Sequence, residues 1–353
     1  MKIFMIIKRL RYSGAYLMFM WVARMLANRG YHVTVCTYMI SEINELPDNI
    51  EWVQLDLENA SFFKRLVSIR KEIKRRRPDV SISFLLDSNI FNIFACLFTR
   101  TKSVVCERND PFKPGYYKLK LAKPLFRFAK GAVYQLPEVA KYYSNITAPY
   151  AIIPNPVICK ENIELPPFEK RENAFVTVGR LDLFQKRQDV LIRAFAIFIK
   201  KYPDYKLYIY GKGGDLNEIK SLVYSLNLEG QVVLPGEVLN PLEKVALAKV
   251  FVLSSDFEGI PNALIEAMSI GMPCISTDCR PGGAELLIER DKRGFMVPAG
   301  DVESLADKMI YVVEHPEEAE NKGNLAKGVV DCFSESKIGD MWCDYVESIK
   351  PCS

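Results

Sequence analysis

The chain has 353 residues, of which 49% are hydrophobic and 25% charged, and it contains 19 glycines and 20 prolines. This length predicts two α/β domains, and the apolar content excludes a disordered chain, a collagen and a coiled coil. Residues 1–154 carry 24 basic and 12 acidic side chains, against 23 and 31 in residues 155–353. The basic first half predicts an anionic partner such as a phosphate ligand, a nucleic acid or an anionic membrane.

The nine cysteines and two histidines limit the possible chemistry. Cys36, Cys96 and Cys274 lie inside apolar runs, which predicts reduced thiols in the core and a cytosolic protein. With so few histidines, neither a zinc site nor a histidine-based triad is expected. The N-terminal apolar run is too short for a signal peptide, and the stretch 80–99 is too polar to span a membrane.

Short apolar runs alternate with amphipathic segments along the whole chain. In the first half, strands are predicted at 2–7, 32–37, 79–84, 103–106, 131–134 and 150–153, and helices at 14–29, 61–77, 88–99, 114–129 and 136–144. In the second half, strands are predicted at 174–178, 205–210, 231–234, 249–253 and 273–276, and helices at 187–201, 214–227, 240–248, 261–270, 301–314 and 334–348. Apolar strands separated by helices are typical of parallel sheets covered on both faces.

The predicted fold class is therefore α/β, with two doubly wound, Rossmann-like domains that face each other across a cleft. Residues 154–173, with four prolines and no apolar period, are expected to form a linker. An N-terminal domain is expected over 1–153 and a C-terminal domain over 174–333, with a final helix over 334–353 that packs back on the N-terminal domain. Ligands of such domains bind outside the carboxyl ends of the strands, so the cleft is the expected active site.

The most informative segment is DFEGIPNALIEAMSIGMPCI, residues 256–275, which follows the apolar strand KVFVL. Gly259 permits an unusual turn, and the helix that follows presents free backbone amides of 259–262, which favour a phosphate group. Glu258 in the loop suits sugar hydroxyls, and Glu266 in the helix suits a ribose diol. The alternative is a pair of acids without a ligand.

A second segment, VGRLDLFQKRQDVLIRAF at 178–195, follows the strand AFVTV. Gly179 permits a sharp turn, which places Arg180 and Lys186 at the carboxyl end of the domain's first strand. Two cations there neutralise a diphosphate leaving group, the guanidinium by paired hydrogen bonds and the ammonium as a point charge. The alternative is a solvated basic turn.

Together, these two segments resemble the retaining glycosyltransferases of family 4, which have the GT-B fold. The resemblance extends to YIYGKGGD at 208–215, VLPGEV at 233–238, CRPGGAELL at 279–287 and YAIIPNPV at 150–157. It is strong over 150–330 and weaker but collinear over 1–150. The motifs are specific to the family and poorly specific to the sugar.

The resemblance implies a role for each matching residue. Arg180 and Lys186 would hold the donor diphosphate, and Glu258 would bind the sugar ring. The other implied substrate-binding residues are Gly14 and Gly179 near the phosphates, Val238 against the base, Gly259, Ile260 and Asn262 near the sugar and phosphates, and Glu266 at the ribose.

Two departures from the family pattern lie in the first half. SGAY at 13–16 replaces the usual two glycines and an acid, and VVCERNDP at 104–111 lacks the histidine that many relatives carry. Glu107, Arg108 and Asn109 occupy that place, as in a SERNDP-like subgroup of bacterial surface-polysaccharide enzymes. Arg108 would bind the departing phosphate or the acceptor diphosphate, and Glu107 would be an acid or base on the acceptor side. The alternative is a structural pair of Arg108 with Glu107 or Asp110.

The implied reaction is glycosyl transfer with retention of the anomeric configuration. Its transition state is oxocarbenium-like, and fixed cations with helix amides stabilise the negative charge that builds on the nucleoside diphosphate. Because cations take the place of a metal and the chain has no Asp-x-Asp string, neither a metal nor another cofactor is expected.

Basic residues cluster in two stretches of the first half, at 64–78 and 112–130, and the second stretch also carries aromatic residues. Such stretches suit an anionic membrane, so peripheral attachment to the inner face of the cell membrane is expected. A solvated helix face is the alternative. Nucleic-acid binding is a third reading, but no recognition motif accompanies the charge.

The expected function is that of a bacterial hexosyltransferase in capsule, O-antigen or exopolysaccharide synthesis. It would move a hexose or N-acetylhexosamine from a nucleotide sugar, by family habit a UDP-sugar, to a polyprenyl-diphosphate-linked or polysaccharide acceptor. One alternative, suggested by the missing histidine and the altered glycine loop, is an inactive sugar-nucleotide-binding protein. Another is a different GT-B enzyme such as a sugar-nucleotide epimerase.

Overall fold

The computed structural model describes residues 1–11, 14–43, 45–108, 111, 120, 122–144, 148–158 and 163–350. The chain divides into two compact units. The first unit comprises Met1–Asn155 together with the C-terminal segment from Ser336, and the second unit comprises Pro156–Glu335. Within the described ranges, no helix combines the length and hydropathy needed to cross a bilayer.

The described part of the first unit forms a seven-stranded parallel sheet in the order β3-β2-β1-β4-β5-β6-β7. Its strands are β1 (Lys2–Ile7), β2 (His32–Thr37), β3 (Ile50–Gln54), β4 (Val80–Phe84), β5 (Lys102–Glu107), β6 (Gly131–Tyr134) and β7 (Tyr150–Ile152). Its helices include α1 (Gly14–Asn28), α2 (Phe62–Arg76), α3 (Leu86–Cys96), a 3-10 helix (Lys123–Phe128) and α4 (Pro137–Tyr142). This is the strand order of a Rossmann sheet.

The second unit contains a six-stranded parallel sheet in the order β10-β9-β8-β11-β12-β13. Its strands are β8 (Glu172–Val178), β9 (Lys206–Tyr210), β10 (Val232–Gly236), β11 (Ala248–Leu253), β12 (Cys274–Thr277) and β13 (Phe295–Val297). Its helices include a 3-10 helix (Phe168–Lys170), α5 (Gln188–Phe198), α6 (Leu216–Ser225), α7 (Pro241–Val245), α8 (Asn262–Ser269), α9 (Gly283–Ile288), α10 (Val302–Glu314), α11 (Pro316–Ala326) and α12 (Val329–Cys332), and α13 (Glu335–Ile349) follows. The same strand order thus occurs in both units.

The polar residues of the stretch 80–99 have a structural use inside the first unit. Asn92 Nδ2 donates to the carbonyl oxygens of Ser81 at 2.8 Å and Val104 at 3.0 Å, and Asn89 Nδ2 donates to Cys106 O at 3.1 Å. Both amides are fully buried. They pin α3 to β4 and β5, since a buried amide is stable only when it is hydrogen-bonded.

The structure differs from the predicted elements at a few places. The strands β3 and β13 and the helices α9, α11 and α12 lie outside the elements predicted from the apolar pattern. The helix predicted at 114–129 lies partly outside the described residues, and its end is a 3-10 helix at Lys123–Phe128 that contains Pro124. Strand β8 begins at Glu172, inside the predicted linker.

Candidate functional site

The candidate site of the second unit lies where the strand order of its sheet reverses. Strands β8 and β11 are parallel neighbours there, so the loops that follow them start side by side. Such a switch point is the usual ligand position in a doubly wound sheet. The loop after β8 carries Gly179, Arg180 and Lys186, and the loop after β11 carries Glu258 and Gly259. The structure therefore brings the predicted cations and the predicted acid to one place.

Glu258 is held by side chains from both loops. Its Oε1 pairs with Lys186 Nζ and accepts a hydrogen bond from Ser255 Oγ at 2.9 Å. Its Oε2 accepts from Gln185 Nε2 at 3.4 Å, and its backbone N–H donates to Arg280 O at 2.7 Å. Only 9% of the residue is exposed. Because a buried carboxylate is stable only when paired and hydrogen-bonded, these contacts fix its orientation.

Arg180 stands at the exposed side of this arrangement. Its guanidinium pairs with Asp182 at 2.6 Å and donates to Gln185 Oε1 at 2.9 Å. The same Gln185 donates to Phe257 O at 3.1 Å and reaches Glu258, so it bridges the two loops. The side chain of Arg180 is 60% exposed, which leaves the cation open to an anionic ligand.

Two glycines that the sequence analysis did not single out allow close contacts between backbone segments at the site. The chain bends at Gly179 and at Gly259, and neither glycine adopts a left-handed conformation. Gly211 has a φ of 137°, and a Cβ on it would lie 1.9 Å from Gly179 O. A Cβ on Gly283 would lie 1.7 Å from Gly259 O. The loop after β8 is thus packed against Gly211, which follows β9, and the loop after β11 is packed against Gly283, the first residue of α9.

The remaining predicted residues of the second unit lie at the same edge of the sheet. Pro261 is the N-cap of α8, and among the described residues no backbone acceptor is recorded for the amides of Gly259 and Ile260, which precede it. Asn262 is the first residue of α8, and Glu266 lies in its second turn. Val238 is half-buried and lies two positions after β10. The amides next to the helix start are an arrangement that favours an anion.

The predicted residues of the first unit form a separate group. Glu107 ends β5, is 1% exposed, and accepts from the backbone N–H of Arg108 at 3.0 Å and from Tyr143 OH at 3.4 Å. The Arg108 guanidinium donates to Asn155 Oδ1 at 2.9 Å and lies 4.7 Å from the centroid of the Phe84 ring. Burial lowers the pKa of Arg108.

For two predictions made in the first unit, one of the residues involved lies outside the described ranges. Gly14 is the exposed first residue of α1, but Ser13, which precedes it in the glycine string, lies outside the described residues. Asp110, the other partner considered for Arg108, also lies outside them. No cluster of three or more metal-ligating side chains occurs in the part of the chain that the structure describes.

The sequence analysis missed Gln185 and Ser255, which fix Glu258. Both positions lie next to recognised motif residues, Gln185 before Lys186 and Ser255 three positions before Glu258. Their proximity to a motif was the available signal. Their contacts depend on how the two loops meet, which no spacing within one loop reveals.

Comparison with known proteins supports the sequence resemblance. Residues 160–329 match the family model of the Glycosyl transferases group 1. The chain is 32% identical over 250 residues to an uncharacterised glycosyltransferase of Methanocaldococcus jannaschii, a match that covers 64% of this chain and 61% of that protein. The glycosyltransferase resemblance is confirmed at the level of this group.

A second relative has a named activity. It is the GalNAc-α-(1→4)-GalNAc-α-(1→3)-diNAcBac-PP-undecaprenol α-1,4-N-acetyl-D-galactosaminyltransferase of Campylobacter jejuni, 28% identical over 300 residues, with 82% of this chain and 80% of that enzyme covered. Among solved structures, Anabaena HepE in complex with UDP has a TM-score of 0.82 at 17% identity, covering 99% of this chain and 100% of that one. The structural likeness confirms the predicted GT-B fold class.

Proposed function

We propose that this chain transfers a hexosyl or N-acetylhexosaminyl group from a nucleotide sugar to a lipid-diphosphate-linked acceptor, a function supported by the match of residues 160–329 to the family model of the Glycosyl transferases group 1. The observation that carries the proposal is the Lys186–Glu258 pair, held by Gln185 and Ser255 at the switch point of the second unit. A fixed acid beside fixed cations suits a ligand with both hydroxyls and phosphates.

The donor is proposed to lie across the loops of the second unit. Arg180 and Lys186 hold the diphosphate, together with the backbone amides that precede α8. Glu258 accepts hydrogen bonds from the sugar hydroxyls, Glu266 from the ribose, and the half-buried Val238 lies against the base. A uracil base is supported by the UDP bound to the structural neighbour HepE.

The chemistry proposed is transfer with retention, without a metal or another cofactor. The bond between the anomeric carbon and the departing phosphate oxygen breaks, and a bond to the acceptor oxygen forms. The acceptor hydroxyl gives its proton to the departing phosphate oxygen, so no protein nucleophile is needed. Arg180 and Lys186 stabilise the charge that builds on the leaving diphosphate.

The acceptor is proposed to be a sugar on a polyprenyl diphosphate. The Campylobacter jejuni relative acts on an undecaprenol-diphosphate-linked saccharide, as its name states. Glu107 and Arg108 are the candidate acceptor residues, because both stand at the carboxyl end of β5, an interior strand of the sheet. A surface polysaccharide such as an O-antigen is the proposed pathway product.

A membrane surface is proposed as a further partner of the first unit. Phe63 and Val67, one turn apart on α2, are 74% and 64% exposed. Lys64, Lys71 and Lys74 are exposed on the same helix, and none of them takes part in an ion pair with a described residue. Exposed apolar side chains beside unpaired cations suit the inner leaflet of an anionic membrane.

The enzymatic proposal is tested by product analysis with a panel of nucleotide sugars and a polyprenyl-diphosphate-linked acceptor. Wild-type protein should form a product of retained configuration without added metal and in the presence of a chelator. Glu258→Gln and Arg180→Ala should each reduce turnover by about 100-fold or more, since they remove interactions made to the reacting sugar and its leaving group.

Glu314→Gln is the matched control, because Glu314 also pairs with a lysine, Lys201, but at the carboxyl end of α10. This variant should keep wild-type turnover. Donor binding without any turnover would instead support the inactive binding protein, and restoration of lost activity by Mg²⁺ would refute the metal-free reaction.

The membrane proposal is tested by flotation with phosphatidylglycerol vesicles. Neutralising Lys64, Lys71 and Lys74 to glutamine should weaken binding on the order of 100-fold, since each cation near such a surface contributes about 1 kcal/mol. The control neutralises the exposed Lys200, Lys220 and Lys244 of the second unit. Equal loss in both triple variants, or none in the first, would show that α2 is a solvated face.

A further inference from the structure

Arg187 adopts an unusual backbone conformation at the start of α5. Its φ of 50° and ψ of 44° lie in the left-handed region, which residues other than glycine rarely occupy. Its side chain does not cap the helix. Because glycine fits this conformation with less strain, a side chain at this position calls for contacts that compensate the strain.

The guanidinium of Arg187 supplies such contacts by joining two carboxylates. Nε and Nη2 donate to the two carboxylate oxygens of Asp189 at 3.1 and 3.2 Å, and Nη1 donates to Asp256 Oδ2 at 2.7 Å. The hydrogen bonds to Asp189 and Asp256 raise the pKa of Arg187. Three donors in a planar fork are a geometry that arginine has and lysine lacks.

The segments that Arg187 joins are those that carry the charged pair of the candidate site. Lys186 directly precedes Arg187, and Glu258 lies two positions after Asp256. The Asp256 N–H also donates to Gln185 O at 2.9 Å, and Ser254 Oγ donates to Lys186 O at 2.8 Å. A shift of one segment along the other would therefore separate Lys186 from Glu258.

We propose that Arg187 is a positioning residue whose ion pair with Asp256 sets the Lys186 ammonium against Glu258 and so prepares the diphosphate end of the donor site. The inference rests on the proposed function only where it calls this pair a donor site. Arg187 itself holds the two loops in register, and Lys186 contacts the ligand.

The test measures how fast the Lys186 amine is acetylated by acetic anhydride, read by mass spectrometry of the peptide. The Lys186 side chain is 19% exposed and contacts Glu258, so the reagent reaches its amine slowly. Arg187→Gly and Asp256→Asn should each raise the labelling rate of Lys186 about threefold or more. The double variant should be labelled little faster than either single variant, because the effects of substituting two residues in contact do not add. Arg187→Lys should give a labelling rate between those of the wild-type protein and Arg187→Gly.

Arg290→Gly is the matched control, since Arg290 also has a left-handed φ of 52°, and no ion pair is recorded for it among the described residues. It should leave the labelling of Lys186 unchanged. The thermal midpoint of every variant is measured in parallel.

Unchanged Lys186 labelling in folded Arg187→Gly and Asp256→Asn would overturn the proposal, whatever happens to the midpoint, because a purely structural role moves the midpoint alone. If Arg187→Gly does not fold, Asp256→Asn decides, since it leaves the backbone at position 187 intact. The labelling needs no donor sugar. A failure to find turnover would therefore count against the proposed function and leave the positioning role standing.

Discussion

At the scale of single residues, the candidate site depends on close backbone contacts between loops. A Cβ on Gly211 would lie 1.9 Å from Gly179 O, and a Cβ on Gly213 would lie 2.0 Å from Leu181 O. These glycines follow β9 and press against the loop that holds Arg180. The positions of the functional side chains thus depend on residues that carry no side chain at all.

Gly211→Ala should destabilise the protein by roughly 3 kcal/mol or more, since it combines a backbone clash with a φ of 137° that alanine does not tolerate. Gly214→Ala is the control, because a Cβ at that position would meet no atom within 4 Å and the φ of Gly214 is not positive. Its effect should stay within about 0.5 kcal/mol. Equal free energies of unfolding for the two variants, measured in urea, would contradict the structure.

Cys279 is a buried free thiol near the candidate site, and burial raises its pKa to about 12. At pH 8 the thiol is therefore protonated, and only the thiolate reacts with iodoacetamide. Native protein should be alkylated at the partly exposed Cys332 and Cys343 and spared at Cys279. Alkylation of Cys279 as fast as that of Cys343, by peptide mass spectrometry, would show that the thiol is not buried.

At the scale of secondary-structure elements, α13 is an integral part of the first unit. Trp342 is 1% exposed and stacks on Phe84 with ring centroids 6.3 Å apart. Tyr345 OH accepts from the Ala132 N–H at 2.7 Å and donates to Pro149 O at 2.8 Å. The helix thereby packs on β4 and β6, and the centroid of the Trp342 ring lies 5.7 Å from the Arg108 guanidinium.

Trp342→Ala should lower the free energy of unfolding of the first unit by about 3–5 kcal/mol, because it leaves a large cavity beside Phe84. Hydrogen exchange of peptides from β4 and β5 measures this loss. Phe63→Ala in the same unit is the control, since Phe63 is exposed and should change little. Unaltered exchange in Trp342→Ala would mean that α13 does not stabilise the sheet.

Elements with a strong apolar pattern could be predicted from the sequence, and weakly patterned ones could not. KIFMII and VSISF are central strands buried almost throughout, and both were predicted. IEWVQ is an edge strand that is only partly buried, so its apolar signal is weak. Helix α11, PEEAENKGNLA, buries little apolar surface, and its polar sequence pattern is typical of a loop.

The site could be predicted in its main groups because charged residues directly after apolar strands carry a clear signal. Lys186 pairs with Glu258, and Arg180 donates to Gln185, which also donates to Glu258. Contacts between loops, such as those of Gln185 and of Arg187 with Asp256, could not be predicted, since they arise from the pairing of β8 with β11.

At the scale of the whole molecule, the two halves of the chain share a strand order but differ in their balance of charge. Both units have the Rossmann strand order, but basic residues outnumber acidic ones only in residues 1–154. The groups proposed to bind the donor lie in the second unit, whereas the exposed apolar and basic face of α2 belongs to the first. This division agrees with a proposed enzyme whose soluble donor and membrane-linked acceptor differ in chemistry.

The central claim is that the second unit holds the diphosphate of a nucleotide sugar between the loops after β8 and β11. Hydrogen–deuterium exchange with and without saturating UDP tests it directly. Slower exchange confined to peptides that contain residues 179–188 and 256–266 is the predicted result. Protection located only in other segments, or none at all at concentrations that saturate related enzymes, would contradict the account.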